Sequence, residues 1–252
     1  MINPMQLEGR RVLITGASSG IGRETAVLLS QLGAQMVLAG RDETRLQQTL
    51  ASLEGTGHRS EPFDLTRLEE IPQWMKRITG ETGPLDALVH SAGVHAAIPV
   101  HLLSAGKIEE ILRVNVSSSI MLAKAFRQKS CRREKSSMVF LSSVSGLAGA
   151  PALSVYAASK AALLGMVRSL AVELAQEGVR VNCVVPGLVE TEMTERLRAS
   201  VTPAGFQAIT ALHPLGIGSP RDVAFGIAFL VADTGRWITG SGLVIDGGYT
   251  AQ

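Results

Sequence analysis

An α/β fold, with helices covering both faces of a parallel sheet, is predicted by three features of this sequence. Apolar runs of strand length alternate with longer stretches of helical period. Runs such as Val12-Leu13-Ile14 and Val181–Val185 are apolar throughout, as burial on both faces of a parallel sheet requires. The first run also ends in a glycine-rich loop that feeds straight into a helical stretch.

Strands are expected at Arg11–Thr15, Gln35–Ala39, Arg59–Phe63, Leu85–His90, Met138–Ser142, Val179–Val184 and Gly242–Ile245. Helices are expected between them, for example over Ile21–Leu32, Glu43–Leu53, Ile108–Arg127 and Val155–Gln176. Right-handed crossovers then place helices on both sides of one sheet. No repeat, low-complexity tract or linker divides the chain, so residues 1–252 read as one domain. The least regular segment, Leu188–Ser219, is rich in Thr, Pro and Gly and is expected to be an insertion over the active site.

Composition narrows the function classes. Hydrophobic residues make up 46% of the chain and charged residues 18%, which indicates a packed globular protein. A net charge of +2 with no concentrated basic face argues against nucleic acid as a partner. No run of some eighteen apolar residues stands out as a membrane span, and the short, mixed segment Met1 to Arg11 does not read as a signal peptide. Cys131 and Cys183 are too few for a disulfide framework and lack metal-ligand spacing. The expectation is a cytoplasmic protein without a metal, with Cys183 a buried, inert thiol.

The loop Thr15-Gly16-Ala17-Ser18-Ser19-Gly20-Ile21-Gly22 has the spacing G-x-x-x-G-x-G. Glycines let the backbone turn sharply and approach a pyrophosphate, which amides at the helix N-terminus then hold. The second strand ends in Gly40-Arg41, where a site for NAD would place a carboxylate on the ribose. A guanidinium here suits a 2′-phosphate, so NADP(H) is expected over NAD(H). Asp42 reads as the N-cap of the next helix.

Tyr156 and Lys160, in Val155-Tyr156-Ala157-Ala158-Ser159-Lys160, are four apart and share a helix face. A free tyrosine has a pKa of about 10, and a nearby ammonium favours the phenolate, towards the range useful for proton transfer. Ser143 lies thirteen residues before Tyr156, just past a strand end, where it can donate to a carbonyl oxygen as charge builds there.

With these residues in place the chain resembles the short-chain dehydrogenase/reductase family over nearly its whole length. The resemblance rests on Thr15–Gly22, Asp64, Ala92-Gly93, Asn115, Ser143, Tyr156, Lys160, Pro186-Gly187 and Thr191, in that order. It implies a Rossmann-type sheet in the order 3-2-1-4-5-6-7 and hydride exchange between a nicotinamide and a carbonyl or secondary alcohol. Tyr156 would be the acid/base, Lys160 would hold the nicotinamide ribose and lower the tyrosine pKa, and Ser143 would orient substrate. Asn115 would hold a water linking Lys160 to solvent, or brace a helix kink. Gly16, Ser18, Ser19, Gly20, Ile21 and Gly22 would cradle the phosphates, and Arg41 the 2′-phosphate. Asp64 and Leu65 would frame the adenine, with Ser91, Ala92 and Gly93 lining the cofactor. Pro186, Gly187, Val189 and Thr191 would face its carboxamide end. The family also implies a homotetramer, with a homodimer as the alternative.

Two departures from the family pattern bear on function. His90-Ser91-Ala92-Gly93 stands where Asn-Asn-Ala-Gly is usual, so the asparagine hydrogen bonds are expected to be absent. Glu177 stands where 3-oxoacyl-carrier-protein reductases, the most similar-looking members, carry a basic residue that docks an acidic carrier. Arg132 and Arg133 are candidates to compensate, although Lys129–Lys135 reads as a solvated loop. The substrate face is expected to be apolar, built from Leu147, Leu153, Leu188, Met193, Leu197 and Phe206, with His95 and His213 as candidate liners. The rival readings are a carrier-protein reductase, an epimerase or dehydratase that retains its cofactor, and a non-catalytic dinucleotide-sensing regulator.

Overall fold

The computed structural model describes residues 3–251. Seven strands, β1 (Arg11–Thr15), β2 (Gln35–Gly40), β3 (Arg59–Pro62), β4 (Leu85–His90), β5 (Arg132–Leu141), β6 (Val179–Pro186) and β7 (Gly242–Ile245), form one parallel sheet. Their order is 3-2-1-4-5-6-7, as expected. The order reverses between β1 and β4, so a crevice opens beyond the C-terminal ends of those strands. Nine α-helices surround the sheet among the described residues: α1 (Gly20–Gln31), α2 (Glu43–Ala51), α3 (Ile71–Thr82), α4 (Ala105–Leu112), α5 (Ser118–Phe126), α6 (Ser154–Leu174), α7 (Glu192–Ser200), α8 (Pro203–Ala211) and α9 (Pro220–Val231).

Burial on both faces explains the continuous apolar runs. Leu13, Leu88, Met138 and Val181 point into a core with Ile78 of α3, Phe126 of α5 and Leu164 of α6. Val12, Ile14, Val139 and Val184 point the other way, against Leu29 of α1 and Ile227 of α9. Each such side chain contributes about 1.5–3 kcal/mol on burial, so both layers are needed. Local chemistry sets the helix starts. Asp42 caps α2 by accepting from the Arg45 N–H, as its position in the sequence suggested. Ser219 and Asp222 form a reciprocal capping box on α9, with Pro220 in the first turn.

Three expectations need correction. The helix expected over Ile108–Arg127 is split into α4 and α5 by a π-type turn at Arg113–Ser117. β5 starts at Arg132, so Lys129–Lys135 is not simply a solvated loop: the Arg132 side chain is only 3% exposed. It donates to the carbonyls of Arg127, Arg133 and Glu134 as well as to Glu177, and those partners make its burial tolerable. The segment Leu188–Ser219 also contains two helices, α7 and α8, started by the caps Thr191 and Thr202.

The stretch Ser154–Glu177 is long and apolar enough, by length and composition, to meet the criterion for crossing a bilayer, which the reading of apolar runs overlooked. Its buried stripe, including Leu163, Leu164, Val167, Ala171 and Leu174, recurs at helical spacing and packs towards β6. Ala158, Ala161, Ala162, Gly165 and Val172 lie exposed on α6.

Candidate active site

β1 delivers the glycine loop to the crevice. Gly16 has φ +72, and a Cβ there would come within 2.6 Å of the Ala92 backbone nitrogen, so the loop lies directly on the segment after β4. A Cβ on Gly22 would meet the Gly16 carbonyl at 2.3 Å. Ser19 is the N-cap of α1 but makes no side-chain cap bond, and the first turn carries no acidic residue. The N-terminal amides of a twelve-residue helix therefore face the loop without a capping side chain, an arrangement that suits a phosphate. Arg23 fixes the loop from behind, donating to the Ser18 carbonyl at 2.5 Å and to Thr49 Oγ1 at 3.2 Å.

At the end of β2, a Cβ on Gly40 would sit 3.5 Å from Ser18 Oγ. Arg41 is exposed and has no hydrogen-bonded partner among the described residues. Asp64 accepts from the Thr66 N–H at 2.9 Å, which holds its carboxyl below the usual carboxylate range, and the charges of Arg41 and Arg67 add to the effect. Arg41 and Asp64 thus lie near each other, just past the ends of the paired strands β2 and β3, and Leu65 is buried. Arg45 of α2 also pairs with Glu192 of α7 at 2.7 Å, a cross-crevice contact with no sequence signal to announce it.

The residues proposed for acid/base work converge at the ends of β5 and α6. Tyr156 is buried, with Ser143 near its hydroxyl. Burial pushes the phenol above its usual range, outweighing the opposing pull of Ser143. This differs from the expected lowering by Lys160. The Lys160 ammonium lies 5.7 Å from the Tyr156 ring centroid and donates to the Leu141 carbonyl at 2.7 Å. Burial pulls the Lys160 pKa down to about 8.

Asn115 sits inside the π-type turn. Its Oδ1 accepts from the Val94 N–H at 2.8 Å, and its Nδ2 donates to the Val94 carbonyl and Ser159 Oγ, both at 2.9 Å. The carboxamide therefore braces the kinked helix against the Gly93–Val94 segment and α6. A Cβ on Gly93 would lie 3.3 Å from Asn115 Oδ1 and 3.4 Å from Lys160 Nζ, which puts the three residues together.

His90, at the first of the two positions where asparagine is usual, makes side-chain contacts of its own. Its Nδ1 lies 2.7 Å from Thr15 Oγ1 and its Nε2 3.5 Å from Ser118 Oγ. Burial, and secondarily the Lys160 charge, pulls its pKa down to about 3. The histidines expected to line the cleft divide. His213 is structural: its Nε2 accepts from the Leu188 N–H at 3.0 Å, its Nδ1 faces the Ile209 carbonyl, and its ring packs on Tyr249. His95 lies against Tyr156, with ring centroids 4.7 Å apart.

Beyond β6, Pro186 and Gly187 stand at the strand end, with the Gly187 N–H bonded to Ile245. Val189 is buried and Thr191 caps α7 beside Gly20, in whose direction a Cβ would meet Thr191 at 3.2 Å. A cavity of about 390 Å³ opens there, lined by Gly20 and Thr191 together with four glutamates and the basic residues Arg23 and Arg198. Of the expected apolar face, Phe206 is covered by the Arg198 guanidinium at 4.6 Å, while Leu147 and Met193 are exposed. Among the described residues no three His, Cys, Asp or Glu side chains cluster as a metal site would need.

A glycine-turned loop at the switch point, beside a Ser-Tyr-Lys cluster, is the arrangement of a nicotinamide-dependent oxidoreductase. The family profile described as enoyl-(acyl carrier protein) reductase matches residues 16–250. A 3-oxoacyl-[acyl-carrier-protein] reductase of Rickettsia prowazekii is 34% identical over 245 residues, 97% of this chain and 98% of that protein. A short-chain type dehydrogenase/reductase from Mycobacterium marinum superposes with TM-score 0.88 at 31% identity, over 99% of this chain and 98% of the other. A protein from Agrobacterium tumefaciens assigned as a 2-deoxy-d-gluconate 3-dehydrogenase, solved with bound NADP, superposes with TM-score 0.89 at 30% identity over 100% of both chains. The chain belongs to the short-chain dehydrogenase/reductase family.

Proposed function

We propose that this protein is an NADP(H)-dependent carbonyl reductase acting on a mainly apolar carbonyl or secondary alcohol. The observation that carries the reading is the buried Tyr156 phenol with Ser143 and Lys160 beside it. A phenol held above its usual range keeps its proton at neutral pH, so it is poised to act as the acid for carbonyl reduction.

The nicotinamide, when bound, supplies the hydride. Gly16, Ser18, Ser19, Gly20, Ile21 and Gly22 hold the phosphates, and Arg41 with Ser18 takes the 2′-phosphate. Asp64 and Leu65 flank the adenine; Ser91, Ala92 and Gly93 support the ribose side; Pro186, Gly187, Val189 and Thr191 face the carboxamide. Ser143 donates to the substrate oxygen as charge develops, and Tyr156 gives that oxygen its proton. Lys160 holds the ribose and steadies the phenolate left behind. Asn115 is a positioning residue, fixing Val94 and Ser159 around this group. Residues 188–219, with α7 and α8, cover the substrate.

A 3-oxoacyl-carrier-protein substrate is the second reading, favoured by the name of the Rickettsia relative. Charge weighs against it. Glu177 is held between Arg127, at 2.6 and 2.9 Å, and Arg132, at 2.9 Å, so it engages both guanidiniums and offsets one of their two charges. A non-catalytic regulator would not need Ser143, Tyr156 and Lys160 together. The exposed small-residue face of α6, with half-exposed Ile120 on α5, suits burial in a homotetramer. The two free, buried cysteines suit a reducing cytoplasm.

The test is NADPH consumption by the purified protein across a panel of ketones and aldehydes. Turnover of one or more carbonyls is expected, and no turnover of any would overturn the reading.

A further inference from the structure

Among the described residues, His95 differs from the other buried or half-buried histidines. His58, His90 and His213 each have both ring nitrogens within hydrogen-bond distance of protein atoms. Neither nitrogen of His95 has such a partner, and the ring is half-buried with part of its surface open. Its edge-to-face contact with Tyr156, at 4.7 Å and an interplanar angle of 72°, sets it beside the group that moves the proton. A polar side chain so placed, without a protein partner, is available to the substrate.

The backbone that carries His95 is fixed on both sides. Asn115 clamps the N–H and the carbonyl of Val94, the residue before it. Three residues after it, the Ile98 N–H donates to the Ala152 carbonyl at 2.8 Å. Ala152 has φ +64, a left-handed conformation uncommon for a residue with a side chain, in the loop between Ser143 and Tyr156. The two loops flanking the acid/base pair are thus pinned together, which pre-organises His95 relative to Tyr156.

We propose that His95 is a specificity-determining residue that hydrogen-bonds a second, neutral oxygen on the carbon next to the reacting carbonyl. The substrate class is then an α-hydroxycarbonyl or 1,2-dicarbonyl compound. Burial, and then the Lys160 charge, lowers the His95 pKa, so the ring stays neutral at physiological pH. A neutral imidazole offers one donor and one acceptor, and so accepts either a hydroxyl or a keto oxygen. With the two rings 4.7 Å apart, a substrate oxygen held at Tyr156 brings the neighbouring carbon's oxygen towards His95. A plain ketone leaves the ring unpaired.

The inference rests on Tyr156 acting as the proton donor, and the experiment separates the two. Two ketones of equal length, one bearing an α-hydroxyl, are compared as substrates with NADPH for the wild type, His95→Phe and His95→Gln. The wild type is expected to favour the hydroxyketone by about 10-fold in kcat/KM, the size of one well-made hydrogen bond. In His95→Phe, which keeps an aromatic ring against Tyr156, that ratio should fall towards one, mainly through KM. His95→Gln, which keeps a donor and an acceptor, should recover part of it. A general packing defect would slow both ketones alike and leave the ratio standing. A wild type without preference, or a ratio unchanged in both variants, overturns the role of His95 even while the plain ketone is reduced. A wild type that reduces neither ketone nor any other carbonyl overturns the reductase reading and this inference with it.

Discussion

Thr15 Oγ1 and His90 Nδ1 lie 2.7 Å apart where β1 and β4 end together. Ser118 Oγ already donates to the Val114 carbonyl, so it is left to accept from His90 Nε2–H, and Nδ1 must accept from Thr15. The tautomer follows from the partners on each side. A neutral imidazole thereby ties two strands and α5 directly beneath the site.

This bond sets an acid limit on stability. His90 has a folded pKa of about 3 against an ordinary value of 6.5. Between those values the unfolded chain binds a proton that the folded chain refuses, so stability falls as pH falls from 6.5 towards 3. The slope from this one group approaches about 1.4 kcal/mol per pH unit. His90→Asn should flatten that limb relative to the wild type in urea melts across the window. Parallel curves for the two proteins would contradict the assignment.

The proposed cofactor choice rests on Arg41. NADPH should exceed NADH by roughly 10–100-fold in kcat/KM, one or two charge-assisted hydrogen bonds' worth. Arg41→Ala should lose NADPH efficiency and leave NADH nearly unchanged. Gly40→Asp, whose Cβ meets only ordinary contacts from Leu46 and Ser18, should weaken NADPH by repulsion. Equal or better use of NADH by the wild type would refute the preference.

Glu177 makes a prediction about carrier docking. Its side chain ties up Arg127 and Arg132, so an acyl chain presented on a carrier protein should gain no advantage in kcat/KM over a short free thioester. An advantage of ten-fold or more for the carrier-bound substrate would reverse that conclusion.

Assembly is read from α6. Light scattering at micromolar concentration should give four chains per particle, and Ala162→Glu on the exposed face should reduce that number. A wild-type monomer would contradict it.

Much of this was legible in the sequence because it is local or periodic. The apolar runs located the central strands, since burial on both sheet faces leaves no other pattern for Val12-Leu13-Ile14, whereas β3, Arg59–Pro62, is polar in sequence. Asp42 named itself as a cap by standing just before a helical stretch. What was not legible depends on pairs distant in sequence. Glu177 meets Arg132 only through the approach of β5 to the turn before β6, so a buried arginine read as part of a loop. His213 and His95 look alike in the sequence; only the fold gives one a backbone N–H from Leu188 and the other the ring of Tyr156. The phenol shift was misjudged for a similar reason, because Lys160 spends its contact on Leu141 and burial dominates.

The central claim is that Tyr156 gives the proton. Tyr156→Phe keeps the ring against His95 and removes only the hydroxyl. Single-turnover NADPH oxidation with a reducible ketone should slow by at least ~10²–10⁴-fold, the usual loss for a missing acid/base group. NADPH affinity, followed by cofactor fluorescence, should stay close to that of the wild type. A variant that binds NADPH and keeps more than about a tenth of the wild-type rate would contradict the account.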